Sequence, residues 1–250
     1  MTDATTITPE SAALAWNDEY ERQGIPSSHR NEPSGVVLWA LDNLRHVASR
    51  KLRTAIDLGC GTGRNSLALS ARGFSVTGID FAERALAAAQ GREGAERVTF
   101  IQGDLTAPLP VESGSQDLAI DVFVYFHQLG DAERKAYREE IYRVLSPDGV
   151  LLVSLATKKD GYYANCSRLA PKEFGSSIDL RWDPEAGVGN ILLTSEQFIA
   201  EFSDLFDLQM TWQKSKPGRM HSKDYQRFTV AALWQPKPRS TCAVRLQPGG

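Results

Sequence analysis

Short apolar runs alternate with amphipathic stretches through the middle of this chain. Five of the runs have the length and composition of strands, near residues 53–57, 74–80, 98–102, 118–123 and 150–155. Between them, apolar residues recur at helical spacing, within 67–72, 83–90 and 132–144. Strands that alternate with helices in this way predict a parallel sheet that is covered on both faces.

The chain after the fifth run follows a different pattern. Residues 158–190 show no clear periodicity, and so long a stretch in a compact domain favours a functional cap over an ordinary loop. A helix is predicted near 195–202, followed by strands near 206–212 and 226–234. Three prolines and little apolar periodicity predict a frayed tail over 236–250.

A glycine-rich segment directly after the first predicted strand carries the strongest chemical signal. Gly59, Gly61 and Gly63 permit a sharp turn there and leave no side chains against the main chain. Asp80 ends the second strand 21 positions after Gly59. That spacing is close to the offset of about 20 residues at which an acid reaches the hydroxyls of a bound ribose. Together these features predict an adenosine-type ligand.

The same loop narrows the choice of ligand. A dinucleotide-binding loop has glycine at its sixth position, but here that position is Arg64, and no Gly-Lys-Ser/Thr follows for a triphosphate. The segment Asp57-Leu-Gly-Cys-Gly-Thr-Gly63 instead resembles motif I of the class I S-adenosylmethionine-dependent methyltransferases. In that family the loop holds the methionine end of the cofactor.

The resemblance continues in order along the chain. Asp80 matches the family's ribose-binding acid, and Asp104 matches the acid that contacts the adenine amino group. Residues 116–121 resemble the fourth strand, and residues 143–153 resemble the helix end, turn and fifth strand that follow. The match is strong over about residues 52–156. More diffusely, the chain is similar to the small-molecule branch that includes the tellurite-resistance and thiopurine methyltransferases.

The resemblance implies an α/β fold, with a Rossmann-like, doubly wound, mostly parallel seven-stranded sheet, helices on both faces and an antiparallel last strand. The expected organisation is an N-terminal helical or lid segment over 1–51, a methyltransferase domain over 52–235 and a flexible tail over 236–250. A substrate cap is expected as an insertion at about 157–193. S-adenosyl-L-methionine is the implied cofactor. Its expected binding residues are Asp57, Gly59, Gly61, Gly63, Arg64, Asp80, Phe81, Asp104, Leu105 and Asp121.

The catalytic chemistry is expected just after the fourth strand. Ligands of open α/β sheets bind beyond the carboxyl ends of the strands, and the resemblance places the methyl-bearing sulfur beside this one. Asp121, Tyr125 and His127 are the polar candidates there. Methyl transfer depends mainly on alignment in a dry pocket, so a base is optional. For a hydroxyl or amine acceptor His127 is the natural base, and packing of the loop is its alternative role.

Two segments outside the parallel core are candidates for acceptor binding. The first precedes a helix that Ser34 can cap, and its His29 and Arg30 suit a charged acceptor or the cofactor's carboxylate. A solvated turn is the alternative interpretation of this segment. The second is the predicted cap, whose aromatic and arginine content suits a small, partly aromatic or anionic acceptor. Its candidates are Tyr162, Tyr163, Arg168 and Trp182.

Composition fits a globular domain and limits the partners. The chain is 42% hydrophobic and 24% charged. A net charge of -3 gives no basic field for nucleic acid, and no run approaches the roughly 18 apolar residues of a membrane helix. The three cysteines have neither a close pair nor metal-ligand spacing. We therefore expect a cytoplasmic monomer or homodimer with a small-molecule substrate, and no metal, nucleic-acid or membrane partner.

The sequence-based conclusion is an S-adenosylmethionine-dependent methyltransferase that acts on a small molecule by O- or N-methylation. After the fourth strand the chain has Asp-Val-Phe-Val and not Asn/Asp-Pro-Pro-Tyr/Phe, which disfavours methylation of a nucleic-acid base. Protein methylation remains an alternative, because peptide grooves leave little trace in one sequence. A non-catalytic, cofactor-binding regulator is a second alternative, and Asp57, Asp80 and Asp104 argue against it. The acceptor and the accepting atom do not follow from the sequence.

Overall fold

The computed structural model describes residues 9–25, 28 and 30–239. Its main sheet has seven strands: β1 (Thr54–Leu58), β2 (Ser75–Asp80), β3 (Val98–Gln102), β4 (Gln116–Val122), β5 (Leu145–Ala156), β9 (Phe206–Met220) and β10 (Lys223–Pro236). Their spatial order is β3-β2-β1-β4-β5-β10-β9. The first five strands are parallel, and β10 is antiparallel to both of its neighbours. The predicted doubly wound, mostly parallel sheet is therefore confirmed.

Six helices of the described chain surround this sheet: α1 (Pro9–Arg22), α2 (Gly35–Val47), α3 (Arg64–Ala71), α4 (Glu83–Gln90), α5 (Asp131–Val144) and α6 (Ser195–Phe202). Successive side chains of a strand point to opposite faces, so Ala55 and Ile56 of β1 belong to two different apolar clusters. α2 and α3 pack on the Ala55 face, whereas α5 and α6 pack on the Ile56 face. Both faces of the sheet are thus buried, as the near-continuous apolar strands require.

The last two strands are longer than their apolar patterns predict. β9 and β10 pair all the way to a tight turn at His221 and Ser222, whose φ angles are +44° and +65°. Only Thr229–Trp234 of β10 also pairs with β5, so the outer halves form a two-stranded arm. Mutual backbone hydrogen bonds hold this arm, which explains why the hydrophobic pattern ends before the strands do.

The cap at about 157–193 is ordered. It contains a second sheet of three antiparallel strands, β6 (Ser167–Arg168), β7 (Asp179–Asp183) and β8 (Val188–Leu192). Every residue of β8 is buried, and Ile191 and Leu192 belong to the same apolar cluster as the main sheet. Strands this short give too little alternation to be detected from one sequence, so only the existence of a compact insertion was predictable.

The N-terminal helix is fixed across the carboxyl edge of the sheet. Its Asn17 Oδ1 accepts the backbone N–H of Arg84 at 3.0 Å. The arm is fixed to the same segment, because the backbone N–H of His221 donates to Gly24 O at 3.0 Å. In the described part of the chain, no helix combines the length and apolar content that a membrane crossing needs. Residues 240–250 of the predicted tail lie outside the described residues.

Candidate active site

The carboxyl ends of the parallel strands border a cavity of about 420 Å³, within the range of small-molecule sites. Its walls come from α1, the glycine loop, the ends of β2 and β3, the loop after β4 and the cap. One side is therefore formed by the loop and strand ends, and the other by the cap. We call these the loop side and the cap side.

The glycine loop requires glycine both for its backbone conformation and for close packing. Gly59, Gly61 and Gly63 have φ angles of +62°, +54° and +74°, which residues with a side chain rarely adopt. A Cβ on Gly59 would lie 2.3 Å from Val124 Cγ2, and one on Gly61 would lie 2.5 Å from the hydroxyl of Tyr20. The loop thus presents bare backbone, and Tyr20 of α1 lies against it.

Asp80 joins the glycine loop to the cavity. Its Oδ2 accepts the backbone N–H of Gly61 at 2.8 Å, and its Oδ1 accepts that of Ala82 at 2.8 Å. Burial raises the pKa of Asp80 above its ordinary value, and these backbone bonds act in the opposite direction. Each carboxylate oxygen has a second lone pair. Asp80 can therefore accept further hydrogen bonds from a ligand in the cavity that it borders.

Asp57 lies behind the loop and does not border the cavity. Its Oδ2 accepts the hydroxyl of Ser66 at 2.6 Å, which ties the end of β1 to α3. Burial raises the pKa of Asp57 to about 7, against the lowering effect of that hydrogen bond. Arg64 begins α3 and is half-buried, and burial lowers its pKa. Neither side chain borders the cavity, so both lie behind the loop that they flank.

The remaining loop-side candidates follow β2 and β3. Phe81, Asp104 and Leu105 all border the cavity, as the sequence predicts for residues at strand ends. Asp104 is exposed. Within the described chain only its Oδ1 accepts a hydrogen bond, from the backbone N–H of Thr106 at 2.8 Å. One carboxylate oxygen is thereby left for a ligand donor.

The loop after β4 is shaped by Asp121. This fully buried carboxylate accepts the backbone N–H groups of Val124 and Tyr125 at 2.9 and 2.8 Å and the hydroxyl of Tyr137 at 2.8 Å. Burial raises its pKa to about 6 against the effect of these three bonds. Its oxygens face the protein interior, and the side chain does not border the cavity.

Tyr125 also turns away from the cavity. Its hydroxyl donates to Glu201 and accepts from Arg138 Nη1 at 2.9 Å, towards α5 and α6. Burial is the main cause of a raised pKa for this hydroxyl. Of the three polar candidates after β4, the structure brings only His127 to the cavity.

His127 has the geometry of a neutral base. Its Nδ1 lies 3.1 Å from the carbonyl oxygen of Gly189 in β8, so Nδ1 carries the hydrogen and Nε2 carries the lone pair. The ring meets Trp16 of α1 edge-on, with centroids 5.1 Å apart. Burial lowers the pKa of His127, although the bond to Gly189 acts the other way. Burial therefore favours the neutral form of the imidazole.

The acceptor-binding candidates in the cap support its structure instead of bordering the cavity. The hydroxyl of Tyr162 donates to Asp183 Oδ1 at 2.6 Å, and Tyr163 packs against Phe126 with ring centroids 4.7 Å apart. Trp182 is half-buried against the core, and Arg168 is exposed on β6. In the N-terminal segment, Arg30 is exposed and outside the cavity, and His29 lies outside the described residues.

Phe123, Gln128 and Glu133 border the cavity and were absent from the sequence-based candidates, whereas Trp16, Tyr20 and Phe174 lie within the two segments predicted to bind the acceptor. The spacing of Trp16 and Tyr20 places both on one face of a helix, so a helical pattern gave some signal for them. Nothing local marks Glu133, which approaches Phe174 at Gly130. A Cβ on Gly130 would lie 2.9 Å from Phe174 O and 3.4 Å from Glu133 Cδ.

The sequence matches to known proteins fall on the part of the chain that holds the glycine loop and the parallel strands. Residues 55–149 match the family described as "Methyltransferase domain". A demethylmenaquinone methyltransferase from Clavibacter sepedonicus is 34% identical over 117 residues, which are 46% of this chain and 46% of that protein. Thiocyanate methyltransferase 1 from Brassica oleracea is 32% identical over 159 residues, which are 61% of this chain and 67% of that protein.

The extent of these matches differs between sequence and structure. The chain spans less than half the length of the curated bacterial relatives that it matches. The structure of a 1,6-didemethyltoxoflavin-N1-methyltransferase from Burkholderia thailandensis covers 95% of this chain and 94% of its own, with a TM-score of 0.66. At 18% identity, that similarity concerns the fold alone. The whole fold, and not only the matched segment, is thus shared with such structures.

Proposed function

The chain belongs to the class I S-adenosylmethionine-dependent methyltransferases, and we propose on that basis that it transfers a methyl group to a small-molecule acceptor. One observation carries the proposal. A single cavity joins the bare glycine loop, Asp80 and Asp104 to a neutral imidazole, that of His127, with a free Nε2. A cofactor and an acceptor can therefore meet in one cavity.

The loop side fits S-adenosylmethionine. Gly59 of the loop borders the cavity without a side chain, and Asp80 keeps a spare lone pair on each oxygen for the two ribose hydroxyls. Asp104 would accept the adenine amino group, between Phe81 and Leu105. Arg64 and Arg30 lie outside the cavity, so no cofactor contact is assigned to either. Asp57 would act on the cofactor through the loop that it supports.

When bound, the cofactor supplies a methyl group on a sulfonium sulfur, and transfer leaves S-adenosylhomocysteine. The chain's own contribution is alignment of the acceptor and exclusion of water. α1 covers the cavity with Trp16 and Tyr20, and the cap closes it through Phe174 and β8. His127 Nε2 would take the proton that an attacking hydroxyl or amine must lose. Oxygen or nitrogen is therefore the proposed accepting atom.

The relatives support a small acceptor. The demethylmenaquinone and thiocyanate methyltransferases are named for small molecules, and so is the 1,6-didemethyltoxoflavin-N1-methyltransferase. A peptide substrate would favour an open groove, whereas this cavity lies beneath α1 and the cap. We also propose that the chain belongs to the small-molecule branch that includes the tellurite-resistance and thiopurine methyltransferases. A cytoplasmic location is proposed as well.

Calorimetric titration with S-adenosylhomocysteine tests the cofactor site. We expect micromolar binding by the wild type, and Asp80→Asn should weaken it by about ten- to hundredfold, since each hydrogen bond to a charged group contributes about 1.5–3 kcal/mol. Asp104→Asn, which keeps the turn to Thr106, should weaken binding less because Asp104 is exposed.

Asp148→Asn is the matched control, because this exposed acid lies near the start of β5, at the edge of the sheet away from the cavity. Its affinity should equal that of the wild type. A folded wild-type protein that binds neither S-adenosylmethionine nor S-adenosylhomocysteine would contradict the proposed function.

A further inference from the structure

We infer that the acceptor carries an ammonium group, which the cap side of the cavity recognises through the Glu133 carboxylate and the surrounding aromatic rings. This inference rests on the proposed methyltransferase function and names the chemical class of its substrate.

The charged side chains that border the cavity are acidic. Three carboxylates border it, those of Asp80, Asp104 and Glu133, and no lysine or arginine does so among the residues that the structure describes. The proposed cofactor contacts account for Asp80 and Asp104. Glu133 is left without a role in cofactor binding; it borders the same cavity and is otherwise exposed.

Glu133 is fixed on the cap side. It lies in the first turn of α5, where its Oε2 accepts the backbone N–H of Gly130 at 3.1 Å. Phe174 of the cap adjoins it at Gly130, as the close approach of both to a Cβ at that position indicates. Within the described chain, no lysine, arginine or histidine nitrogen lies within 4.0 Å of its carboxylate. The carboxylate therefore offers an unpaired charge and a free oxygen, Oε1.

Aromatic rings also border the cavity. Trp16, Phe123 and Phe174 border it together with His127. Phe123 has a φ of +69°, a costly conformation for a residue with a side chain, and its backbone N–H is held by Ser154 O at 2.8 Å. This strained backbone at the cavity wall is consistent with a specific position of the Phe123 ring. Aromatic faces attract cations, and an adjacent carboxylate adds to that attraction.

The arginines of the cap lie outside the cavity, which disfavours an anionic acceptor, and Arg168 is exposed on β6. Arg181 donates from Nη1 to Ala164 O and Cys166 O, at 3.0 Å each, and its Nη2 pairs with Asp179 at 3.1 Å. Arg227 of the arm pairs with the buried Asp160 at 2.8 Å. A carboxylate or phosphate on the acceptor would meet Glu133 and the rings without a partner.

The ammonium nitrogen serves recognition and is not the methyl acceptor. A protonated nitrogen has no lone pair with which to attack a methyl carbon. A second, neutral heteroatom of the acceptor would occupy the His127 end of the cavity. The expected acceptor is thus a small, partly aromatic molecule with an ammonium group at one end and a hydroxyl or neutral amine at the other.

A matched set of three probes tests this inference on the protein saturated with S-adenosylhomocysteine. Tyramine, 4-(2-hydroxyethyl)phenol and 3-(4-hydroxyphenyl)propionate share a phenol and differ in the charge of the side chain. Calorimetry should give tighter binding of tyramine than of the neutral alcohol, by about tenfold, and no binding of the carboxylate. Glu133→Gln should reduce the affinity for tyramine by about tenfold and leave that for the alcohol unchanged.

Glu133→Gln keeps the helix cap, because glutamine also accepts the Gly130 N–H, so the variant should fold normally. Glu139→Gln, on the exposed face of the same helix, is the control for a change in net charge and should bind tyramine as the wild type does. Binding of the carboxylate equal to that of tyramine would overturn the inference. Failure of all three probes, or equal losses for tyramine and the alcohol in Glu133→Gln, would overturn it too. Failure of S-adenosylhomocysteine to bind the wild type would instead contradict the proposed function.

Discussion

The contacts that form the two sides of the cavity join residues with very different separations in the sequence. On the loop side, the Gly61 N–H meets Asp80 across 19 positions, and Ser66 meets Asp57 across nine. On the cap side, His127 bonds Gly189 across 62 positions. The same histidine also packs against Trp16, which precedes the whole sheet.

This difference predicts two kinds of sensitivity. The loop side is held by hydrogen bonds within one β-α-β unit and by Tyr20 of α1 against Gly61, so substitutions there should change cofactor affinity. The cap side depends on packing between separate segments. Changes there should alter turnover or stability and leave cofactor affinity nearly constant.

Gly61→Ala is expected to have the largest effect and to break the loop side alone. The new Cβ would lie 2.5 Å from the Tyr20 hydroxyl, at a φ of +54°. We expect loss of measurable S-adenosylhomocysteine binding in calorimetry. Gly73→Ala is the matched control, because its φ is +88° but nothing lies within 4 Å of the added Cβ. It should cost only the conformational strain of about 1–2 kcal/mol in the free energy of unfolding. Equal affinities in the two variants would refute the steric argument.

His127→Asn is expected to reduce turnover and to leave the loop side intact. The asparagine amide can still donate towards Gly189 O, but Nε2 is lost. We expect kcat/KM to fall by about a hundredfold or more, the usual contribution of a general base, with an unchanged Kd for S-adenosylhomocysteine. A parallel loss of cofactor affinity would show that the two sides are not separable.

The pH profile of the wild type sharpens the same prediction. A base acts when neutral, and burial lowers the pKa of His127 below its ordinary value of about 6.5. The rate should therefore persist as the pH falls through 6.5 and decline only below it, through the pKa of the folded protein. His127→Asn should lack this acid limb. A limb centred above 6.5 would contradict the assignment of the base.

Tyr162→Phe is expected to have the smallest effect and to act on the cap alone. It removes the hydroxyl that donates to Asp183, which still accepts the backbone N–H groups of Glu185 and Ala186 at 3.1 Å each. We expect a loss of about 1–2 kcal/mol in the free energy of unfolding, measured in urea, and no change in cofactor affinity. Tyr225→Phe, whose hydroxyl has no hydrogen bond within the described chain, should leave stability unchanged.

Prediction from sequence succeeded where the signal was periodic or local. The bounds of α4 and α6 agree with the predicted ranges, and the five parallel strands lie within a few residues of theirs. The strands of the cap and the outer arm were not predicted as strands, because their hydrogen bonds are satisfied without an extended apolar pattern. Phe81, Asp104 and Leu105 border the cavity because any residue directly after a parallel strand reaches the same edge of the sheet.

The sequence by itself determined the fold class and the glycine loop, because these follow from apolar periodicity and from glycines whose positive φ excludes other residues, and it indicated the family through the resemblance of its motifs. Only the tertiary structure decided which polar groups face the cavity. Asp121 and Tyr125 are as polar in sequence as His127, but backbone and side-chain donors inside the core engage them. Glu133 borders the same cavity as Phe174, which lies 41 positions further along the chain. Side-chain direction and long-range contact are properties of packing, and one sequence does not record them.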